Sequence, residues 1–273
     1  MDVFKAVFLG LLQGATEFLP ISSSAHLRIF PDLLGWGDPG AAFTAVVQIG
    51  TEAAVLLYFR RDLWRIGSTW CRALADRRLR DAPEARLGWF IIVGSVPIVV
   101  LGVLLKDVIE SDFRNLWVVG TMLVALGLVL GVAERVGRRE RPIDSLRIRD
   151  AVLLGLAQAA ALVPGVSRSG ATISMGLFLG LDRVAATRYA FLLAIPAVVG
   201  AGLFELPEIP GGENAYGPVP TLVATVVAFV VGYAAIAWLL RYVSTRSYLP
   251  FVVYRVVLGA ATLTLVGTGV LAA

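Results

Sequence analysis

Six apolar runs, each close to twenty residues long, constrain the fold of this chain more than any other feature of its sequence. They cover residues 41–59, 88–105, 116–133, 186–204, 221–240 and 251–271. A helix of roughly 20 apolar residues is long enough to cross the hydrocarbon core of a bilayer. The composition agrees, since 58% of the 273 residues are hydrophobic and only 16% are charged, whereas soluble domains carry about 25% charged residues. The sequence therefore predicts an all-α polytopic membrane protein with six transmembrane helices.

Arginine is distributed unevenly among the segments that join these runs. Loop 60–86 holds eight arginines, loop 135–149 holds six and loop 241–248 holds two. Loop 106–115 has one Lys and one Arg among three acidic residues, and loop 205–218 has three glutamates and no basic residue. The positive-inside rule predicts that the first three loops are cytoplasmic and the last two external. The rule also accounts for the net charge of +4. The excess of basic residues therefore does not indicate a nucleic-acid-binding protein.

This orientation leaves two apolar segments that begin and end on the same side of the membrane. Residues 1–40 begin and end outside, and residues 150–185 begin and end inside. Each contains a helix-breaking sequence, with Pro20 before three serines in the first and Pro164–Gly165 in the second. Non-helical backbone at membrane depth is tolerated where protein or a watery cavity surrounds it. We therefore predict two re-entrant broken helices in addition to the six spans.

The two re-entrant segments also resemble each other at a constant offset. The stretch LGLLQGATEFLPISSSAHL begins at Leu9, and LGLAQAAALVPGVSRSGAT begins at Leu154, 145 positions later. Each is followed by three apolar runs, and the arginine pattern gives the two halves opposite orientation. These features predict one membrane domain, 1–273, built as an inverted-topology repeat of halves 1–134 and 150–273 with the cytoplasmic loop 135–149 between them. The alternative is that short apolar sequences match by chance.

The polar residues of the two breaks form the candidate site. Gln13 and Glu17 lie one helical turn apart and supply hard oxygen ligands for a divalent cation such as Mg²⁺ or Ca²⁺. Arg168 is a permanent cation whose guanidinium group matches phosphate oxygens. Ser23 and His26, three residues apart, are a candidate nucleophile and base. This set favours phosphoryl chemistry at a membrane, and a purely structural Glu17–Arg168 ion pair is the alternative.

Other polar side chains are predicted to surround a bound anion, because a restarted helix presents unpaired N–H groups and a positive dipole end. The predicted substrate-binding residues are Ser22, Ser24, Ser167, Ser169, Thr172 and Gln48. Each serine has an alternative role as a helix cap. Gln48 and Glu52, one turn apart, either line the same cavity or only tie helices together. Tyr254 and Arg255 are interpreted as anchors at a membrane interface.

The two polar stretches resemble the signature motifs of a known family. QGATEFLPISSSAHL and PGVSRSGATIS are similar to the motifs of bacterial undecaprenyl-pyrophosphate phosphatases of the integral-membrane type, also called bacitracin-resistance proteins. The resemblance extends over nearly the whole chain and includes FLLAIPAVVGA at Phe191 and LPFVVYR at Leu249. The first motif of this family has a glutamate or glutamine, then three residues, then a glutamate, and the resemblance aligns this pair with Gln13 and Glu17. The second motif contains an arginine, which the resemblance aligns with Arg168.

This resemblance implies an enzyme that removes the terminal phosphate of undecaprenyl pyrophosphate in the bacterial inner membrane. The product, undecaprenyl phosphate, is reused as the lipid carrier of peptidoglycan and other wall polymers. The resemblance also implies a divalent cation, Mg²⁺ or Ca²⁺, and a site that opens to the periplasmic side. Glutamine at position 13 lowers the negative charge available to a metal, which favours Glu17 as the direct ligand.

Several alternatives stay open at this point. Ser23 is the expected nucleophile with His26 as its base, but His26 is also a candidate nucleophile, or the base for direct attack by water. Glu17 and Arg168 complete the expected catalytic set. A lipid-phosphate flippase would also need an inverted repeat and both charged residues. The sequence allows a homodimer, and the expected partners are the lipid substrate and membrane lipids.

Overall fold

The computed structural model describes residues 3–37, 39–105, 115–205 and 217–272, with the backbone alone at 41–42 and 201–205. Within these ranges there are eleven α-helices and no β-strand, apart from one isolated bridge between Arg141 and Leu181. The predicted all-α class is therefore confirmed for the described part of the chain. The two loops predicted to be external, 106–115 and 205–218, lie outside the described residues except at their ends.

The helices follow one another in a simple order along the chain. They are α1 (Val3–Glu17), α2 (Ser23–Leu33), α3 (Gly40–Tyr58), α4 (Arg60–Ala75), α5 (Pro83–Leu104), α6 (Leu116–Val136), α7 (Ile148–Ala159), α8 (Arg168–Phe178), α9 (Arg183–Glu205), α10 (Pro218–Val243) and α11 (Leu249–Gly267). Short 3₁₀ turns lie at Arg77–Leu79, Ile143–Ser145 and Ala160–Leu162.

Five helices are long and apolar enough to cross a membrane, namely α5, α6, α9 over Arg183–Gly200, α10 and α11. The sixth predicted run, 41–59, forms α3, whose described apolar part is the shorter Phe43–Tyr58. Helix α9 lies at the centre, because 61% of its span is buried against 28–39% in the other four. Those four present large apolar side chains outward, as lipid contact requires. The chain is therefore a multi-pass membrane protein.

Two helix pairs are interrupted at matching positions, between α1 and α2 and between α7 and α8. The residue before each new helix has left-handed backbone, with φ at 73° for Ser22 and 71° for Ser167. This conformation costs a residue with a Cβ about 1–2 kcal/mol. The two serines are 145 positions apart, and α2 and α8 each contain 11 residues. The two breaks thus have the same local backbone conformation as well as the same sequence pattern.

In each half of the chain, the first helix of the interrupted pair packs against a long helix of the other half. Helix α1 packs against α10, and α7, which follows α1 by 145 positions, packs against α5. Glycines permit both contacts, since a Cβ on Gly10 would lie 2.5 Å from the Ala224 carbonyl oxygen and one on Gly155 would lie 2.3 Å from the Gly94 carbonyl oxygen. Each broken helix is therefore held by a span from the other half, which brings the two breaks together.

Candidate active site

An ion pair joins the two helix breaks. Arg168, the first residue of α8, donates from Nη2 to Oε1 of Glu17, the last residue of α1. The Glu17 side chain is 6% exposed and that of Arg168 is 18% exposed. A second carboxylate, that of Glu52 on α3, lies 3.6 Å from the same Arg168 nitrogen. One guanidinium thus faces two largely buried carboxylates, a strong concentration of charge for a membrane protein.

Ser23 completes this arrangement through the other oxygen of Glu17. The Ser23 hydroxyl donates to Glu17 Oε2 at 2.6 Å, and the Gln13 amide donates to the same oxygen at 3.0 Å. Ser23 itself is half-buried. A hydroxyl held by a carboxylate in this way has a proton acceptor in place, which is the requirement for a serine nucleophile.

His26 is oriented by two hydrogen bonds and is 1% exposed. Its Nδ1 lies 2.7 Å from the Ser22 carbonyl oxygen, and its Nε2 lies 2.6 Å from the Tyr254 hydroxyl. A carbonyl oxygen can only accept, so Nδ1 carries the proton and Nε2 accepts from Tyr254 in the neutral ring. Both ring nitrogens are therefore engaged, and the structure does not bring His26 into hydrogen-bond contact with Ser23.

The remaining serines form matching pairs at the two breaks. Ser22 and Ser24 share a hydrogen bond of 3.2 Å between their hydroxyl oxygens, and Ser167 and Ser169 share one of the same length. Ser24 is exposed, whereas the other three are buried. The pairing repeats at the offset of 145 positions, so the hydroxyl groups of both breaks follow the repeat.

At the second break the hydroxyl groups are bound to backbone. The Ser167 hydroxyl accepts from the Gly170 amide at 3.1 Å and caps α8. Ser169 donates to the Leu19 carbonyl oxygen at 3.0 Å across the site, and Thr172 donates to the Arg168 carbonyl oxygen at 2.9 Å. Thr172 is fully buried. These groups fix the position of α8, and the side chain that α8 presents to the site is Arg168.

Two buried oxygen atoms at the site have no hydrogen-bond partner among the described residues. They are Oε1 of Gln13 and Oε1 of Glu52. Unsatisfied buried polar groups are rare in native proteins, and each calls for a ligand, an ion or a water. Gln48, one turn before Glu52 on α3, lies beside the Glu52 carboxylate. The described residues contain no cluster of three His, Cys, Asp or Glu side chains for a metal, so an ion here would need the amide oxygen as well.

Tyr254 and Arg255, interpreted above as interfacial anchors, have other positions in the structure. The Tyr254 hydroxyl binds His26, and Arg255 is fully buried with its guanidinium group directed at the two breaks. The interfacial interpretation of Arg255 is therefore wrong. An arginine six residues after the start of an apolar helix follows the expected pattern of an interfacial residue, and only the packing of α11 against α6 places it inside.

The fold and the site together define a class of protein. It is a multi-pass α-helical membrane protein in which two broken helices, one from each half of the chain, meet at a buried site of two arginines, two carboxylates and several hydroxyl groups. Such polar groups at membrane depth are costly and mark functional sites.

Within this class the chain matches the family described as bacitracin resistance protein BacA over residues 6–261. It is 70% identical over 273 residues to an undecaprenyl-diphosphatase of a Nocardioides species, with all of both chains covered. It is 57% identical to an undecaprenyl-diphosphatase of Micrococcus luteus, again over the whole of both chains. It is 53% identical to undecaprenyl-diphosphatase 2 of Streptomyces coelicolor, over 99% of this chain and 97% of that one. The chain belongs to the bacitracin resistance protein BacA family, which confirms the family predicted from the motifs.

Proposed function

We propose that this chain is an undecaprenyl-diphosphatase, which hydrolyses the terminal phosphate of undecaprenyl diphosphate to give undecaprenyl phosphate and inorganic phosphate. Full-length relatives of 53–70% identity carry that name. The observation that carries the proposal is the contact of Ser23 with Glu17, which in turn binds Arg168. It supports a site between apolar helices in which Ser23 is the nucleophile, Glu17 is its proton acceptor and Arg168 is the phosphate-binding cation. The prenyl tail would lie among those helices.

In the reaction that this geometry supports, the Ser23 oxygen attacks the terminal phosphorus and its proton passes to Glu17. The bond from that phosphorus to the bridging oxygen breaks, and undecaprenyl phosphate leaves. Water then hydrolyses the phosphoserine, which releases inorganic phosphate and restores Ser23. Arg168 binds the phosphoryl oxygens and stabilises the charge that develops on them, the main contribution that a protein makes to phosphoryl transfer.

His26 has a supporting role in this proposal. Its ring is fixed by Ser22 and Tyr254, beside the backbone that leads into Ser23. Glu17 replaces His26 as the proton acceptor of Ser23, because the Ser23 hydroxyl is 2.6 Å from the Glu17 carboxylate. The exposed Ser24 and the amide groups that begin α2 and α8 would bind phosphate oxygens, as helix N-termini do.

The polar groups also fit a divalent cation, Mg²⁺ or Ca²⁺. Hard cations take carboxylate and amide oxygens. Two such oxygens, Gln13 Oε1 and Glu52 Oε1, have no hydrogen-bond partner among the described residues, and their side chains contact the Glu17–Arg168 pair. Gln13, Glu17 and Glu52 would hold the ion. When bound, it would neutralise charge on the diphosphate and so favour departure of the lipid phosphate.

We further propose that the helices form six spans and two re-entrant pairs, α1–α2 and α7–α8, in an inverted repeat. The matching left-handed serines and the exchanged packing of the halves support it. The arginine-rich loops would be cytoplasmic and the site would open to the external side of the bacterial plasma membrane. Helix α4, with four arginines, lies in the first of those loops.

Phosphate release from undecaprenyl diphosphate by the purified protein in detergent tests this proposal. No second compartment exists in detergent, so a flippase, the transporter alternative, would release none. We expect release that depends on Mg²⁺ or Ca²⁺. A purified, folded wild type that releases no phosphate with either ion would overturn the phosphatase proposal.

A further inference from the structure

Arg255 connects more backbone segments than any other side chain at the site. From α11 its Nη1 donates to the Pro20 carbonyl oxygen at 3.2 Å, in the first break. Its Nη2 donates to the carbonyl oxygens of Gly165 at 2.8 Å and Val166 at 3.0 Å, in the second break. Two further hydrogen bonds reach α6. Arg255 Nε donates to the Leu123 carbonyl oxygen at 3.3 Å, and Nη2 donates to the Met122 carbonyl oxygen at 3.3 Å.

These acceptors are all neutral carbonyl groups. Among the described residues no carboxylate forms an ion pair with Arg255, although its side chain is fully buried. Burying a charge without a counterion is costly. A neutral polar side chain or a well-packed apolar one would fill the same space with less desolvation, so the charge and the planar five-donor fork of arginine both need a reason.

The positions of the bonded carbonyl groups suggest that reason. Pro20 stands three residues before Ser23, and Val166 stands two residues before Arg168. These carbonyl groups belong to non-helical backbone, so no helix supplies them with donors. A single rigid guanidinium group therefore holds the backbone that carries the nucleophile and the backbone that carries the phosphate-binding cation at one fixed separation.

We propose that Arg255 is a positioning residue of this site, which sets the two helix breaks against each other and adds an uncompensated positive charge for the anionic substrate. The proposal rests on the phosphatase function proposed above. Lysine at this position would keep the charge but would lose the planar fork that reaches both breaks. The geometric and electrostatic contributions are therefore separable by substitution.

A glycine beside Arg255 offers a second way to move the guanidinium group. A Cβ on Gly170 would lie 2.7 Å from Arg255 Nη1 and 3.2 Å from the Ser167 hydroxyl oxygen. Gly170→Ala would displace the fork while leaving every charge at the site in place. It thus changes position without changing charge, in a protein that keeps its arginine.

The experiment compares wild type, Arg255→Lys, Gly170→Ala and the matched control Arg183→Lys. Arg183 pairs with the buried Glu134, so its lysine variant weakens a structural arginine outside the two breaks. The measurements are kcat and KM for undecaprenyl diphosphate in detergent, the unfolding temperature, and amide hydrogen exchange of residues 20–26 and 165–172. The exchange measurement reports the geometry of the breaks independently of activity.

We expect kcat of Arg255→Lys and Gly170→Ala to fall about 10- to 100-fold, as a misplacement near 1 Å does, with KM of Arg255→Lys close to wild type. Exchange should rise at both breaks in these two variants and stay unchanged in Arg183→Lys, which keeps its kcat. If wild type is active and Arg255→Lys keeps both its kcat and its exchange pattern, the inference fails. An inactive wild type would instead refute the proposed function, and the exchange data would still decide the role of Arg255. If Arg255→Lys does not fold, Gly170→Ala decides in the same way.

Discussion

The Glu17 carboxylate and the Arg168 guanidinium form a largely buried ion pair between helix ends that lie 151 positions apart in the chain. Both residues stand at the unfavourable end of their helices. Glu17 is the last residue of α1 and Arg168 is the first of α8, whereas helix dipoles favour carboxylates at the N-terminus and cations at the C-terminus by about 0.3–1 kcal/mol each. The pair offsets this cost, and the arrangement leaves a cation at a helix N-terminus where an anion can bind.

Removal of one partner of this pair tests whether it is only structural. Arg168→Gln should destabilise the protein by about 3 kcal/mol, because it leaves the buried carboxylates of Glu17 and Glu52 without their cation. Glu17→Gln should destabilise it less, because Arg168 keeps the Glu52 carboxylate at 3.6 Å. The double variant should be more stable than Arg168→Gln, because it leaves one buried carboxylate without a cation instead of two, and it should release no phosphate. Thermal unfolding and phosphate assays on all three measure this. Activity in the double variant would restrict the pair to a structural role.

Ser23 and Ser24 allow a matched comparison of two adjacent hydroxyl groups. Ser23→Ala should lower kcat by about 10³-fold or more, because it removes the nucleophile. Ser24→Ala should keep most of kcat and raise KM, since Ser24 is proposed to bind phosphate oxygens and its hydroxyl contacts that of Ser22 and no carboxylate among the described residues. Steady-state kinetics of both variants, with a search for phosphoserine at position 23, checks this. Equal activities would favour direct attack by water.

Tyr254→Phe should reveal how much the orientation of His26 matters. The substitution removes the hydroxyl that binds His26 Nε2 but keeps the aromatic ring that packs beside the imidazole. A lost hydrogen bond of about 0.5–1.5 kcal/mol corresponds to roughly a 2- to 13-fold lower kcat. The unfolding temperature should change little. A loss as large as that of His26→Ala would instead give Tyr254 a direct part in the reaction.

The oxygen atoms of Gln13 and Glu52 predict how cation dependence responds to substitution. A chelator should abolish phosphate release, and added Mg²⁺ or Ca²⁺ should restore it. Gln13→Glu should lower the cation concentration needed for half-maximal activity, and Glu52→Gln should raise it, because carboxylates bind these ions more tightly than amides. Titration of activity against free cation measures both shifts. Undiminished activity in excess chelator would remove the cation from the proposal.

The close contact of α7 with α5 predicts how a glycine substitution affects the stability of the fold. Gly155→Ala should destabilise the fold by about 1–3 kcal/mol, because its Cβ would overlap the Gly94 backbone. Gly102→Ala on α5, the helix that carries Gly94, is the control, since its Cβ meets only Leu162 at 3.7 Å. Alanine is the better helix former, so the control should be neutral or slightly stabilising. Thermal unfolding in detergent compares the two, and equal midpoints would contradict the close packing.

Much of the site was predictable because its signals are local in sequence. Pro20 and Pro164 mark the breaks, since proline removes a helix donor, and Gln13 and Glu17 share a face through helical spacing alone. The expected contact between Ser23 and His26 rested on the same spacing, but the left-handed Ser22 and the Tyr254 hydroxyl orient the imidazole differently. Spacing along a helix places side chains on a face and does not choose between partners outside that helix.

The sequence by itself determined the membrane class, the place of both breaks and the family, because apolar length and motif order are properties of contiguous residues. Only the tertiary structure decided which groups meet. His26 binds Tyr254 from 228 positions away, and Arg255 binds the Pro20 carbonyl from 235 positions away. Contacts of that kind depend on how α11 packs against α6 and on the close approach that glycines allow between the halves. No local pattern encodes them, so an arginine that reads as an interfacial anchor is instead the residue that joins the two breaks.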